Sequence, residues 1–216
     1  MPGNLMSHTP SALLLIATGC QHCPSVLQSL SELIKEGKIA RLEVVNIVED
    51  PARAESLNVR SVPWLKLDEF ELVGLKSKTE IQQWIDKSSN TDDMSDYFEE
   101  LMVSGEISKV QQIVEDSPEQ IKSLFNIMTN EKFGLSARIG VGAILEQLAG
   151  SETLINNIDR LGEYCQHKLA RVRIDACYYL GLTHHPDAKK YIRPLLEDSD
   201  DEVKEVAQEA MSELSH

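Results

Sequence analysis

No apolar run in this chain approaches the ~20 residues that cross a bilayer, so the sequence offers no membrane span. The first ten residues, Met1 to Pro10, hold no lysine or arginine. The apolar run Leu13–Ala17 therefore lacks the charged flank of a secretory leader, and a cytoplasmic location is expected. Cysteine is scarce: four in 216 residues is not a disulfide-built scaffold. Positive charge is scarce too, with 21 lysines and arginines against 35 aspartates and glutamates, net −14. The deficit is uneven, net −2 over residues 1–90 and net −12 over residues 91–216. Such asymmetry points to two units and argues against DNA, RNA or an anionic membrane as a partner of the second.

What is present is globular composition, 42% hydrophobic and 26% charged, and one chemically dense stretch, Gly19-Cys20-Gln21-His22-Cys23-Pro24. The apolar run before it reads as a buried strand over 11–17. The pattern Val26, Leu27, Leu30, Leu33, Ile34 reads as an amphipathic helix over 20–36, ended by Gly37. Two cysteines at C-x-x-C spacing on a first helical turn lie close enough to bond. Unpaired N–H groups and the helix dipole there favour a thiolate on Cys20, the reactive species in exchange. His22 adds a basic group between the sulfurs, and Pro24 has no N–H to leave unpaired. The same spacing serves zinc, but zinc wants four ligands. The other cysteines, Cys165 and Cys177, stand far along the chain and form no second C-x-x-C. Redox dithiol, metal ligand pair and inert structural pair all remain open, and the strand-to-helix setting favours the first.

The chain continues as a β-branched strand over 39–48, which implies a right-handed parallel crossover. A short helix begins at Pro51, and a hairpin pairs 64–68 with 70–73. Ser77-Lys78-Thr79-Glu80 is a capping box opening a helix that carries Ile81, Trp84 and Ile85 on one face.

A C-x-x-C after the first strand, followed 40 residues beyond Cys23 by Ser61-Val62-Pro63, resembles the thioredoxin fold. The resemblance covers about residues 11–87 and implies an α/β thioredoxin-like domain over 1–88. It implies Cys20 as the attacking sulfur, Cys23 as the resolving one and His22 as a tuner of the thiolate. Pro63 would be a cis-proline, with Val62 and Trp64 beside it in a substrate groove. No cofactor and no metal are implied. The family's additional first strand and helix have no room here, and its buried aspartate, six residues before the first cysteine, is replaced by Leu14. Gly74-Leu75-Lys76 does not match the glutathione motif of glutaredoxins.

Residues 89–96 are polar, without apolar period, and read as a linker. From 97 to 216 the pattern is helical, with a second capping box expected at Ser117-Pro118-Glu119-Gln120. Three segments beginning at Arg138, Arg173 and Lys204 align with one another, 35 and 31 residues apart. They resemble short HEAT-like repeats, which bury their faces by stacking. Gly140 and Gly142 imply close helix contact or a partner surface. Cys165 and Cys177 read as small buried hydrophobes, and His184-His185 as a loop. Arg160, Lys168, Arg171 and Arg173 are expected to pair with neighbouring acids. The functional expectation is a thiol–disulfide oxidoreductase acting on a protein client, with the helical domain binding that client or a partner. The alternatives are a non-catalytic protein-binding scaffold, supported by Leu14 and Trp64, and metal or metalloid handling through the C-x-x-C.

Overall fold

The structure is a computed structural model that describes residues 9–88 and 93–214. The chain divides into two compact units, Met1–Asp92 and Asp93–His216.

The first unit holds strand β1 (Ser11–Ile16), helix α1 (Cys23–Lys35), β2 (Arg41–Asn46), α2 (Pro51–Ser56), β3 (Trp64–Leu67), β4 (Phe70–Val73) and α3 (Lys78–Ser88). The sheet order is β2-β1-β3-β4. Strand β1 runs parallel to β2 and antiparallel to β3, and β3 and β4 form the hairpin. Asp68, at the hairpin turn, takes φ 47° and accepts the Ser11 N–H at 3.0 Å through its carboxylate.

By register, Ala12, Leu14, Leu65, Leu67, Phe70 and Leu72 share one face of the sheet, and all are buried. Helices α1 and α3 pack on each other and against the sheet. The expected capping box forms: Glu80 accepts the Ser77 N–H at 2.8 Å, and Ser77 Oγ accepts the Glu80 N–H at 3.3 Å. Lys78, on the first turn of α3, reaches Glu32 and Glu36 at the end of α1, at 2.9 and 2.6 Å.

The opposite face is only half covered. Near the cysteine end, Leu15 and Trp64 pack with Ala54 of α2, flanked by Val45, Leu57 and Val62. One step back along β1, Leu13 stands in register with Glu43 and Lys66, and Lys66 with Glu71. Opposite charges side by side on adjacent strands suit a solvated sheet surface. The described residues of this unit supply no further strand or helix for this position, and the sequence puts charge where such an element would need apolar side chains.

Several expected boundaries shift. Strand β1 ends at Ile16 and β2 covers 41–46, inside the expected 11–17 and 39–48. Helix α1 begins at Cys23 rather than at 20, because Gly19 at φ +82° turns the chain before the helix starts.

The second unit is helical: α4 (Ser95–Val103), α5 (Ile107–Asp116), α6 (Ile121–Thr129), α7 (Leu135–Gln147), α8 (Glu152–Ile155), α9 (Ile158–Tyr164), α10 (Ala170–Leu182), α11 (Lys189–Ile192) and α12 (Asp201–Glu213). Tyr97, Phe98, Phe125 and Phe133 are fully buried and anchor the α4–α7 part of the core. Helices α7, α10 and α12 each have 13 residues and begin 35 and 31 residues apart, at the spacing of the sequence repeat. Helix α10 packs on α9 and α12. Gly140 sits against Met102 of α4, where a Cβ would come within 2.7 Å of Sδ.

Part of the expected linker is structured. Residues 89–92 lie outside the described residues, but Ser95 already opens α4. Asp93 accepts the Ser95 N–H at 2.9 Å and its hydroxyl, and Ser123 Oγ accepts the Met94 N–H at 3.0 Å. Over 93–95 the polar side chains serve the start of a buried helix: Asp93, itself exposed, accepts from the buried Ser95. The box expected at Ser117 does not form. Residues 118–120 are a 3-10 turn, and Ser117 makes no side-chain cap. Gln120 is buried instead and accepts a hydrogen bond from Ser123 Oγ at 3.1 Å.

Candidate active site

The site stands where β1 hands over to α1. Residues 17–22 form a tight turn, with the Cys20 N–H bonded to Ala17 O at 3.2 Å. Asn46, at the end of β2, donates to Thr18 Oγ1 at 3.0 Å and ties this turn to the neighbouring strand. Neither residue was singled out from the sequence, because only the parallel β1–β2 pairing brings them together.

Cys20 and Cys23 form a disulfide, with their Cα atoms 5.5 Å apart. Cys20 precedes the helix instead of lying on its first turn, yet the expected polarity holds. The Cys23 N–H, one of the orphan donors of the helix start, points at Cys20 Sγ from 3.2 Å. A donor there stabilises negative charge on Cys20 once the disulfide is reduced. The two sulfurs differ in access. Cys23 is 3% exposed, on the face of α1 that carries Val26, Leu30 and Leu33 into the core. Cys20 is half-buried and His22 is exposed at the N-cap. Cys20 is thus the more accessible sulfur of the pair.

The Val62–Pro63 bond is cis, and Val62 O lies 3.9 Å from Cys20 Sγ. Pro63 is buried and its carbonyl accepts the Gly74 N–H at 2.9 Å, which holds this corner on the end of β4. A chain of 42 residues therefore returns to within van der Waals reach of Cys20 Sγ.

Residues 12–86 match a family model described as a thioredoxin domain. The N-terminal unit is thioredoxin-like. No curated protein matches the chain. The thioredoxin-like unit brings Cys20, His22, Cys23, Val62 and Pro63 to one end of the sheet. Trp64 is the exception. It begins β3 paired with Leu15 and is 4% exposed, so it is core under α2 and not a groove wall. Strand parity decides this: the side chain after Pro63 points into the α2 side of the sheet. Leu14 is fully buried, so the position of the family's buried aspartate contributes no carboxylate.

The other flagged residues are accounted for locally. Cys165 and Cys177 are buried free thiols, both pushed up to about 12 by loss of solvent, Cys165 further by the neighbouring Cys177 sulfur. His185 caps the turn at Pro186 by accepting the Asp187 N–H at 3.3 Å. Arg173 makes the expected ion pair, donating twice to Asp198 at 2.8 and 2.7 Å. Arg171 donates to the Met128 carbonyl at 2.8 Å and stands within charge reach of Asp175. Among the described residues no group of three or more His, Cys, Asp or Glu is arranged to hold a metal, and no helix is long and apolar enough to cross a membrane.

Proposed function

We propose that the thioredoxin-like unit is a thiol–disulfide oxidoreductase acting on a protein client. The observation that carries this reading is the unequal pair: a half-buried Cys20 facing the Cys23 N–H, bonded to a buried Cys23. In the reducing direction the Cys20 thiolate attacks one sulfur of a client disulfide and expels the other as thiolate. The Cys23 thiolate then attacks Cys20, forming the intramolecular disulfide and releasing the second client sulfur. Two electrons and two protons pass from dithiol to client, and the oxidising direction is the reverse. Val62, next to the sulfur, is the backbone contact for the client chain, and His22 biases the pair toward the reduced form by favouring the thiolate.

The helical unit is read as short HEAT-like repeats that hold the client or a partner protein. Three equal helices at the spacing of the sequence repeat support this. A tethered redox centre acts at high effective concentration on whatever the repeats hold. Nucleic acid and membranes form no part of this reading. The site of action is cytoplasmic in it, consistent with four cysteines in 216 residues.

The decisive experiment equilibrates the protein in defined redox buffers and traps thiols by alkylation. A reversible two-electron transition between roughly −270 and −120 mV, abolished by Cys20→Ser, is the expected result. One observation favours a second reading, a client-binding module without turnover: Leu14 leaves the internal proton acceptor missing. A pair that stays oxidised across the whole series would turn the assignment to that reading.

A further inference from the structure

Helices α7 and α10 flank a groove of ≈ 550 Å³ within the helical unit. Its rim is apolar where a solvated surface would be polar. Leu135 and Ile139, one turn apart on α7, are 67% and 64% exposed, and Tyr178 on α10 is 39% exposed. Scattered apolar residues are ordinary on a surface, but a contiguous set lining a groove marks an interaction site. Gly142 belongs to the same groove. Its partner in sequence, Gly140, is needed for close packing on Met102, whereas a Cβ at Gly142 would meet only the Tyr179 hydroxyl, at 3.5 Å. A helical glycine costs about 1 kcal/mol relative to alanine. Packing accounts for the first glycine and not for the second, which leaves the groove floor bare.

The two ends of the groove differ in charge. Arg138 and Arg171 stand at one end. Each is only partly satisfied: Arg138 donates to Phe133 O at 3.2 Å, and Arg171 to Met128 O, leaving its Nη2 buried without a hydrogen-bond partner. Asp175 lies near both guanidiniums, so this end holds two positive side chains against one carboxylate. Glu146 stands toward the other end, accepting from the Tyr178 hydroxyl at 3.1 Å. The eight residues from Arg138 to Glu146 span about 12 Å of helix. The surrounding chain, residues 91–216, is net −12. A strongly acidic partner would be repelled by it, so the complementary ligand carries one carboxylate against a neutral or basic background.

We propose that the α7–α10 groove docks an amphipathic helix of a partner protein. That helix lays an apolar stripe on Leu135, Ile139 and Tyr178. It offers one carboxylate to Arg138 and Arg171 and, seven or eight residues away, one basic side chain to Glu146. The i, i+4 repeat of the α7 rim matches the ridges of a helix. This inference does not rest on the redox reading.

The test is a display selection of random helix-forming 16-residue peptides on the full-length protein, with affinities of the enriched peptides read by fluorescence anisotropy. Expected are peptides with an apolar stripe and an acid and a base seven or eight residues apart. Ile139→Lys, at an exposed position, should weaken them at least about tenfold while leaving the melting curve and the Cys20–Cys23 equilibrium unchanged. Arg138→Glu should weaken them similarly, and replacing the peptide's acid by lysine should restore binding to that variant. Enrichment of nothing, enrichment without the charge spacing, or indifference to Ile139→Lys would overturn the proposal. So would a concentration-dependent dimer dissolved by Ile139→Lys, which would give the face to a second copy.

Discussion

Four cysteines of one chain divide into two chemical kinds, a disulfide pair with one accessible sulfur and two buried free thiols. Cys20 meets solvent and a backbone donor, Cys23 stands behind it, and Cys165 and Cys177 sit where charge is disfavoured. A thiol held at about 12 is almost wholly protonated at pH 8 and is a poor nucleophile. After reduction, the native protein should therefore release two equivalents from an aromatic disulfide reagent at pH 8, and four after unfolding. More than two from the folded protein would show that Cys165 or Cys177 is reached. The cysteine contrast was legible in the sequence, since C-x-x-C at a strand-to-helix junction and lone cysteines in apolar helix faces differ in pattern. The fate of Trp64 was not, because its orientation depends on where β3 begins and which face α2 covers.

Among elements, the link from α10 to the start of α12 carries the clearest electrostatic prediction. Arg173 grips Asp198 with two donors, with side chains only 14% and 10% exposed, and a third bond runs from Arg173 to His167 O at 2.8 Å. Asp198 in turn accepts the Asp200 N–H at 2.9 Å, just ahead of α12. Those bonds, Arg173 first, hold the Asp198 carboxyl below its usual value. A depressed carboxylate contributes stability that is complete above the unfolded value of about 4 and is lost as pH falls through the folded one. Replacing Asp198→Asn should destabilise the helical unit by about 2 kcal/mol at pH 7, and the difference from wild type should shrink toward pH 3 in urea titrations. A constant difference across that range would remove the charge from the explanation. The pairing of Arg173 with some acid was expected from composition; the identity of Asp198 required α10 and α12 to be neighbours.

For the whole molecule, each unit has its own buried core, and the spectroscopic probes divide between them. Both tryptophans, Trp64 and Trp84, lie in the thioredoxin-like unit, while nine of the twelve described α-helices lie in the other. Gly162 of α9 is buried against the Tyr191 ring, which a Cβ would overlap. Gly162→Ala should thus lose about 1–3 kcal/mol by overpacking, although alanine is the better helix former. In urea, the loss should move the circular-dichroism transition and leave the tryptophan-fluorescence transition in place. Coincident shifts of both would mean that the two units unfold as one cooperative body.

The sequence by itself determined what depends on neighbours along the chain. Strand, helix and hairpin order, the Ser77–Glu80 box, the placing of the C-x-x-C at a strand-to-helix junction, and the 35- and 31-residue spacing of the long helices all follow from local pattern. Tertiary structure alone decided what depends on which elements meet. Gly140 and Gly142, two residues apart, turn to different sides of one helix, so one packs on Met102 and the other floors a groove. Asp93 to Ser95 looks like a linker until Ser123 of α6 arrives to take the Met94 N–H. Periodicity records which side of a helix is apolar, but a burial partner is fixed only when the chain has folded back on itself and two faces compete for the same water-free space.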